Sequence, residues 1–154
     1  GSHKLILDAV ARPALSNAFN RTTEAERIRK KAQEEELNID REFHKLDKAL
    51  QQWVEQKLYC EYAKSREETA KELNTTKEML YHYFQVKMGI DFKTWRTQLR
   101  IEEAKRLLLE NKDVSTNIIG EAAGFSDRSN FHRQFVKIVG CSPKEWRDSD
   151  GNPR

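Results

Sequence analysis

One segment of this 154-residue chain occurs twice. Phe84-Gln-Val-Lys-Met-Gly-Ile-Asp-Phe-Lys-Thr-Trp-Arg96 aligns with Phe135-Val-Lys-Ile-Val-Gly-Cys-Ser-Pro-Lys-Glu-Trp-Arg147, and Phe, Gly, Lys, Trp and Arg coincide at a constant offset of 51. Thr76 and Asp127 keep that offset. Upstream, Ala70-Lys-Glu-Leu73 matches Gly120-Glu-Ala-Ala123 at an offset of 50, the difference being one turn residue. A duplicated unit folds twice in the same way, so any surface that one copy presents is presented twice.

Local signals make each unit helical. Ser65 with Glu68 has capping-box spacing. It predicts a short helix from Arg66 to Leu73 with Ala70 and Leu73 inward. Thr76 caps the next helix, Lys77 to about Val86, whose apolar face is Leu80, Tyr83 and Phe84; Gly89 ends it in the manner of a left-handed C-terminal glycine. Asp91 caps a long helix to about Asn111, with Trp95 and Leu99 on one flank and Ile101, Ala104 and Leu108 on another. Ser115 opens a helix through Ala123, with Ile118, Ile119 and Ala122 expected to be buried. Asp127 caps a helix to about Val136 with Phe131 and Phe135 inward, and Gly140 ends it. Ser142-Pro143 then starts a final short helix at the favoured first-turn proline position. Before the repeat, Phe43, Leu46, Leu50, Trp53 and Val54 make a helical stripe between Asp40 and Tyr62. Trp53, Trp95 and Trp146 are expected as core anchors.

The expected architecture is all-α: seven or eight helices forming two helix-turn-helix subdomains, a long connecting helix between them and an N-terminal helical linker. Residues 1–39 comprise a tag scar, an arm and a charged linker; 40–148 form the main domain; 149–154 are expected to be a frayed tail. Within the main domain the first helix-turn-helix spans 66–86, the connecting helix 91–111 and the second helix-turn-helix 115–136. Gly1-Ser2-His3 without a Met resembles a cleaved tag, so the chain is expected to be a fragment of a longer protein. Residues 4–22 read as a poorly specified arm with at most a short helix. Thr23 and Glu26 have capping-box spacing, and Glu24 to about Glu36 is a charged helix with almost no apolar face (Ile28, Ala32). Such a helix is either a solvated linker or one strand of a helical pairing interface.

Composition narrows the function. No apolar run approaches the ~20 residues that cross a bilayer. Cys60 and Cys141 make neither a disulfide framework nor a zinc spacing, so a reduced, cytoplasmic setting is the expectation. His44, His82 and His132 lack metal-ligand spacing, and no nucleophile–base pair, paired carboxylates or phosphate loop is present. No enzyme activity, cofactor, metal or small-molecule ligand is therefore expected. The net charge of +3 is small and spread over both halves, so bulk charge does not decide the function. Arg100, Lys105 and Arg106 on the connecting helix are expected either to sit at the packing edge or to pair with Glu102, Glu103 and Glu110.

A short helix, a tight turn and a second capped helix form a helix-turn-helix. The outer side of the second helix is narrow enough to enter a major groove, where polar side chains read base edges. In the second unit those positions hold Arg128, Ser129, Asn130, His132 and Arg133. In the first they hold Lys77, Glu78, Tyr81 and His82, a less basic set. The connecting helix would be ~30 Å long at 1.5 Å per residue, against ~34 Å for one turn of B-DNA. One chain could then hold two reading helices in successive grooves. A protein-interaction module, contacting RNA polymerase or a partner helix with weak DNA binding, is the alternative.

These residues also carry a family resemblance. Leu99-Arg-Ile-Glu-Glu-Ala-Lys-Arg-Leu-Leu108 is similar to the linker helix of AraC/XylS-type transcription regulators. Ile119-Gly-Glu-Ala-Ala-Gly-Phe-Ser-Asp-Arg-Ser-Asn-Phe-His-Arg-Gln-Phe135, with Gly140, Ser142 and Pro143, resembles the second motif of their DNA-binding domain. The resemblance covers Leu46 to Arg147, about two-thirds of the chain. It implies a bacterial, sequence-specific regulator, often an activator that also touches RNA polymerase. Arg133 matches the frequent base-reading Arg of the second unit, whereas His82 stands where the first unit commonly has Arg. The lead-in resembles linkers of membrane-tethered members whose sensor regions lie upstream.

Overall fold

The computed structural model describes residues 2–153, and side chains from Thr23 onward. The arm at 4–22, expected to be poorly specified, has a helical backbone throughout, and the scar's Gly1 lies outside the described residues. Seven α-helices and no strands occur among the described residues: α1 (Ser2–Glu55), α2 (Arg66–Glu72), α3 (Lys77–Tyr83), α4 (Phe92–Glu110), α5 (Thr116–Ala122), α6 (Arg128–Val139) and α7 (Pro143–Asp148). The chain divides into two units, Gly1–His44 and Lys45–Arg154. In the first unit every residue from Glu24 to Asn38 is exposed. The charged segment and the stripe after Asp40, read as separate helices, are one continuous α1.

The second unit contains both repeats. Its helices start where oxygen-bearing side chains cap them: Ser65, Thr76, Asp91, Ser115, Asp127 and Ser142 each accept a backbone N–H of the first turn. Ser142 and Glu145 complete a reciprocal capping box, with Pro143 in the first turn. Gly89 and Gly140, at φ 69° and 93°, close the second helix of each unit. The two second helices have equal reach, but the first finishes in a π-helical turn, Phe84–Met88, whereas α6 stays regular to Val139, beyond the expected end near Val136.

Two cores lie on opposite flanks of α4. On one, Trp53 stacks on Trp95 at 5.9 Å between ring centroids, and Phe84 and Phe92 pack with them. On the other, Ile101, Ala104 and Leu108 are enclosed with Ile119, Ala123, Phe125, Phe131 and Phe135. Trp146 joins this second cluster while its indole N–H donates to the Lys105 carbonyl at 3.1 Å. The expectation for α5 needs correction: Ile118 and Ala122 face solvent, and Ile119, Gly120 and Ala123 face the core, because residues three and four apart share a helix face.

α1 stops at Glu55 rather than near Tyr62, because Lys57 takes a left-handed conformation (φ 57°) and a 3-10 turn, Leu58–Cys60, follows. That turn is stitched to α4 by Arg100. Its Nε donates to the Tyr59 carbonyl at 2.6 Å and its Nη2 to the Glu61 carbonyl at 3.0 Å. Arg100 is thus a buried tie with no ion pair among the described residues, which is the packing role of the two expected for it; burial lowers its pKa to about 10. Lys105 does pair with Glu102, and Arg106 with Glu103 and Glu110. The end of the chain is fastened rather than frayed: Gly151 N–H donates to the Trp146 carbonyl at 2.9 Å, and Lys112 pairs with Asp150. Among the described residues no helix is long and apolar enough to cross a membrane.

Candidate nucleic-acid interface

Each repeat buries its second helix on one side and leaves the other open. In α3, Leu80 and Tyr83 are buried; Lys77, Glu78, Tyr81 and His82 are exposed. In α6, Phe131 and Phe135 are buried; Arg128, Ser129, His132 and Arg133 are exposed, and Asn130 is half-buried. Every residue expected to read DNA therefore lies on the outer side of its helix, with Asn130 the least accessible. Its Oδ1 accepts from Arg133 Nη2 at 3.1 Å and from Gln134 Nε2 at 3.5 Å, so Asn130 positions Arg133 in the unbound state.

A groove runs beside each outer face, and the two grooves are built from equivalent positions. The first holds Lys77, Glu78, Tyr81, Asp91, Phe92 and Lys93. The second holds Arg128, Ser129, His132, Ser142, Pro143 and Lys144. Each residue of the second stands 51 positions after its counterpart. The duplication thus extends from the chain to the surface. Lys93 and Lys144, each in the first turn of the helix after the reading helix, had not been singled out as candidates for this surface. Their coincidence in the sequence repeat was the signal that could have found them. Arg66 in the first groove, and Thr116 and Asn117 in the second, complete the rims.

The two faces differ in charge. Lys77 Nζ lies 3.1 Å from Glu67 Oε1; this contact raises the ammonium pKa, while backbone hydrogen bonding first and Lys77 second lower that of the carboxyl. Glu78 adds a negative charge, and the Tyr81 hydroxyl accepts from Gln85 Nε2 at 2.7 Å. On the second face, neither Arg128 nor Arg133 forms an ion pair among the described residues. The first face is thus near neutral and aromatic, and the second is cationic and hydrogen-bonding. Among the described residues no group of His, Cys, Asp and Glu could hold a metal ion. Burial raises the pKa of Cys60 to about 11, which holds it as the unreactive thiol near neutral pH.

Residues 69–149 match a family model described as a helix-turn-helix domain. The arabinose operon regulatory protein of Escherichia coli is 40% identical over 68 residues, covering 44% of this chain and 23% of that protein. The Msm operon regulatory protein of Streptococcus mutans is 30% identical over 102 residues, 65% of this chain and 36% of that one. The chain thus spans about a quarter to a third of the length of these relatives. Among solved structures, the C-terminal domain of AraT, a response regulator from Geobacillus stearothermophilus, superposes with a TM-score of 0.60 at 28% identity, covering 68% of this chain and 84% of that one.

Proposed function

This chain belongs to the AraC-type helix-turn-helix family, and on that footing we propose that it binds double-stranded DNA sequence-selectively and regulates transcription, through two reading helices in successive major grooves. The observation that carries this reading is the pair of equivalent open grooves, each beside an outer helix face rich in hydrogen-bonding side chains. Arg133 and Arg128 suit guanine edges or phosphates, Ser129, Asn130 and His132 suit either, and Glu78 can accept from a cytosine amino group. Lys77, Lys93 and Lys144 suit phosphates, which supply affinity and register without sequence information. Tyr81 bonds a phosphate or packs on a sugar, and His82 takes the base-facing position equivalent to Arg133.

The parent protein would act in the bacterial cytoplasm as an activator, contacting RNA polymerase and answering an upstream sensor region, membrane-tethered or not. A second reading, with the first unit as a protein-docking surface, draws on Tyr81, Val86 and Ile90, which are exposed on that unit beside the neutralised Lys77. A titration of labelled random-sequence duplex across salt concentrations separates the two. DNA reading requires affinity that falls steeply with salt; a chain that ignores duplex even at low salt would leave only the docking role.

A further inference from the structure

We propose that the N-terminal part of α1 is a self-pairing surface, on which a second copy of this chain packs as a parallel, in-register two-stranded coiled coil. Within the first unit, residues Glu24 to Asn38 are helical and exposed without interruption, and Ile28 and Leu37 are the large apolar residues left in solvent there. A helix with no face buried lacks the packing that stabilises helices in folded proteins.

The side chains have a heptad order. Exposed Ala25, Ile28 and Ala32 and half-buried Ile39 fall at alternating three- and four-residue spacings, with Glu35 on the same seam and Leu37 off it. This is the a/d pattern of a coiled coil, with alanine at successive a positions.

Charges beside the seam select the partner and its direction. In a parallel pair, each g residue faces the e residue five positions later on the other helix. Those positions here join Glu24 to Arg29 and Lys31 to Glu36, both of opposite sign. Two-fold symmetry repeats each contact. An antiparallel pair that sets Ile28 against Ala32 would oppose Arg29 to Arg29 and Lys31 to Lys31. The occupant is therefore a second copy in the same direction. Alanine and Glu35 on the seam make the pairing weak and reversible. Two linked copies raise the effective concentration of one DNA-binding domain once the other is bound.

Sedimentation equilibrium of the 154-residue chain without DNA tests this directly, so that a failure here is separate from a failure of DNA reading. The native chain should show a monomer–dimer equilibrium, and Glu35→Leu should tighten it by about tenfold or more. Ile28→Asp should be monomeric with unchanged thermal unfolding of the folded domain. Glu24→Arg should weaken association by about tenfold, and Glu24→Arg combined with Arg29→Glu should restore it. The proposal is overturned if both the native chain and Glu35→Leu stay monomeric, if Ile28→Asp still dimerises, or if the double charge exchange restores nothing.

Discussion

Gly120 lies beneath the ring of Phe131 so closely that a Cβ on residue 120 would come within 2.5 Å of Phe131 Cδ2. The corresponding positions of the first unit hold Ala70 and Leu80, both buried. The two units thus fill the same helix crossing in two ways, small against large in one and intermediate against intermediate in the other. Cores tolerate such exchanges when total volume is kept.

Gly120→Ala alone should therefore destabilise the chain by about 1–3 kcal/mol through overpacking. Adding Phe131→Leu, which imitates the first unit, should recover much of that loss. Urea unfolding of the two single variants and the double variant gives the coupling. Strictly additive effects would show that the Phe131 ring does not meet residue 120.

Arg100 should be a second weak point. It supplies two hydrogen bonds to carbonyls of the turn after α1, and a Cβ on Gly124 would come within 2.7 Å of its Nε. Arg100→Met keeps the stem but orphans the buried Tyr59 carbonyl and takes the donor from the Glu61 carbonyl, at a cost of about 1–3 kcal/mol. Arg100→Lys should rescue little, because a single ammonium does not reproduce the two-pronged contact. Chemical denaturation reads both variants.

Alkali should unfold the protein through two tyrosines. Burial, then the Asp47 hydrogen bond, raises the pKa of Tyr83 to about 12, and burial with Glu103 beside it raises that of Tyr59 to about 12. Both phenols stay protonated in the fold above pH 10, where the unfolded chain ionises. The stability they contribute is complete below pH 10 and is lost as pH rises towards 12. Tyr83→Phe should flatten the decline in unfolding free energy over that range, and phenolate absorbance should show a late-titrating class that this variant diminishes.

On the reading face, Glu67→Gln should release Lys77. Duplex affinity at low salt should then rise, and the slope of log K against log salt should steepen by roughly one phosphate contact. Arg133→Ala should cost about 1–3 kcal/mol and relax selectivity at one base pair. Equal weakening on all sequences would assign Arg133 to phosphate instead.

Helix starts were legible in the sequence because capping is local: Ser65, Thr76, Asp91 and Ser115 each act within three residues. The second helix of each unit followed from the repeat. Arg100 escaped because its carbonyl partners lie about forty residues away, and nothing in its neighbourhood announces them. The end of α1 escaped because Lys57 adopts a left-handed conformation usually left to glycine or asparagine. Ile118 was misplaced because apolarity suggested burial where the helix turn dictates exposure. Lys93 and Lys144 escaped because one lysine in a charged chain carries no signal; their coincidence in the repeat does, and their shared place beside equivalent grooves gives it meaning.

Selection of bound duplexes from a random pool tests the two-groove account most directly. The account predicts two blocks of preferred base pairs about one helical turn, ~10 bp, apart. The block that Arg133→Ala degrades should differ from the block that His82→Ala or Glu78→Ala degrades. A single block untouched by changes at Glu78, Tyr81 and His82, or a pool with no enrichment, would contradict it.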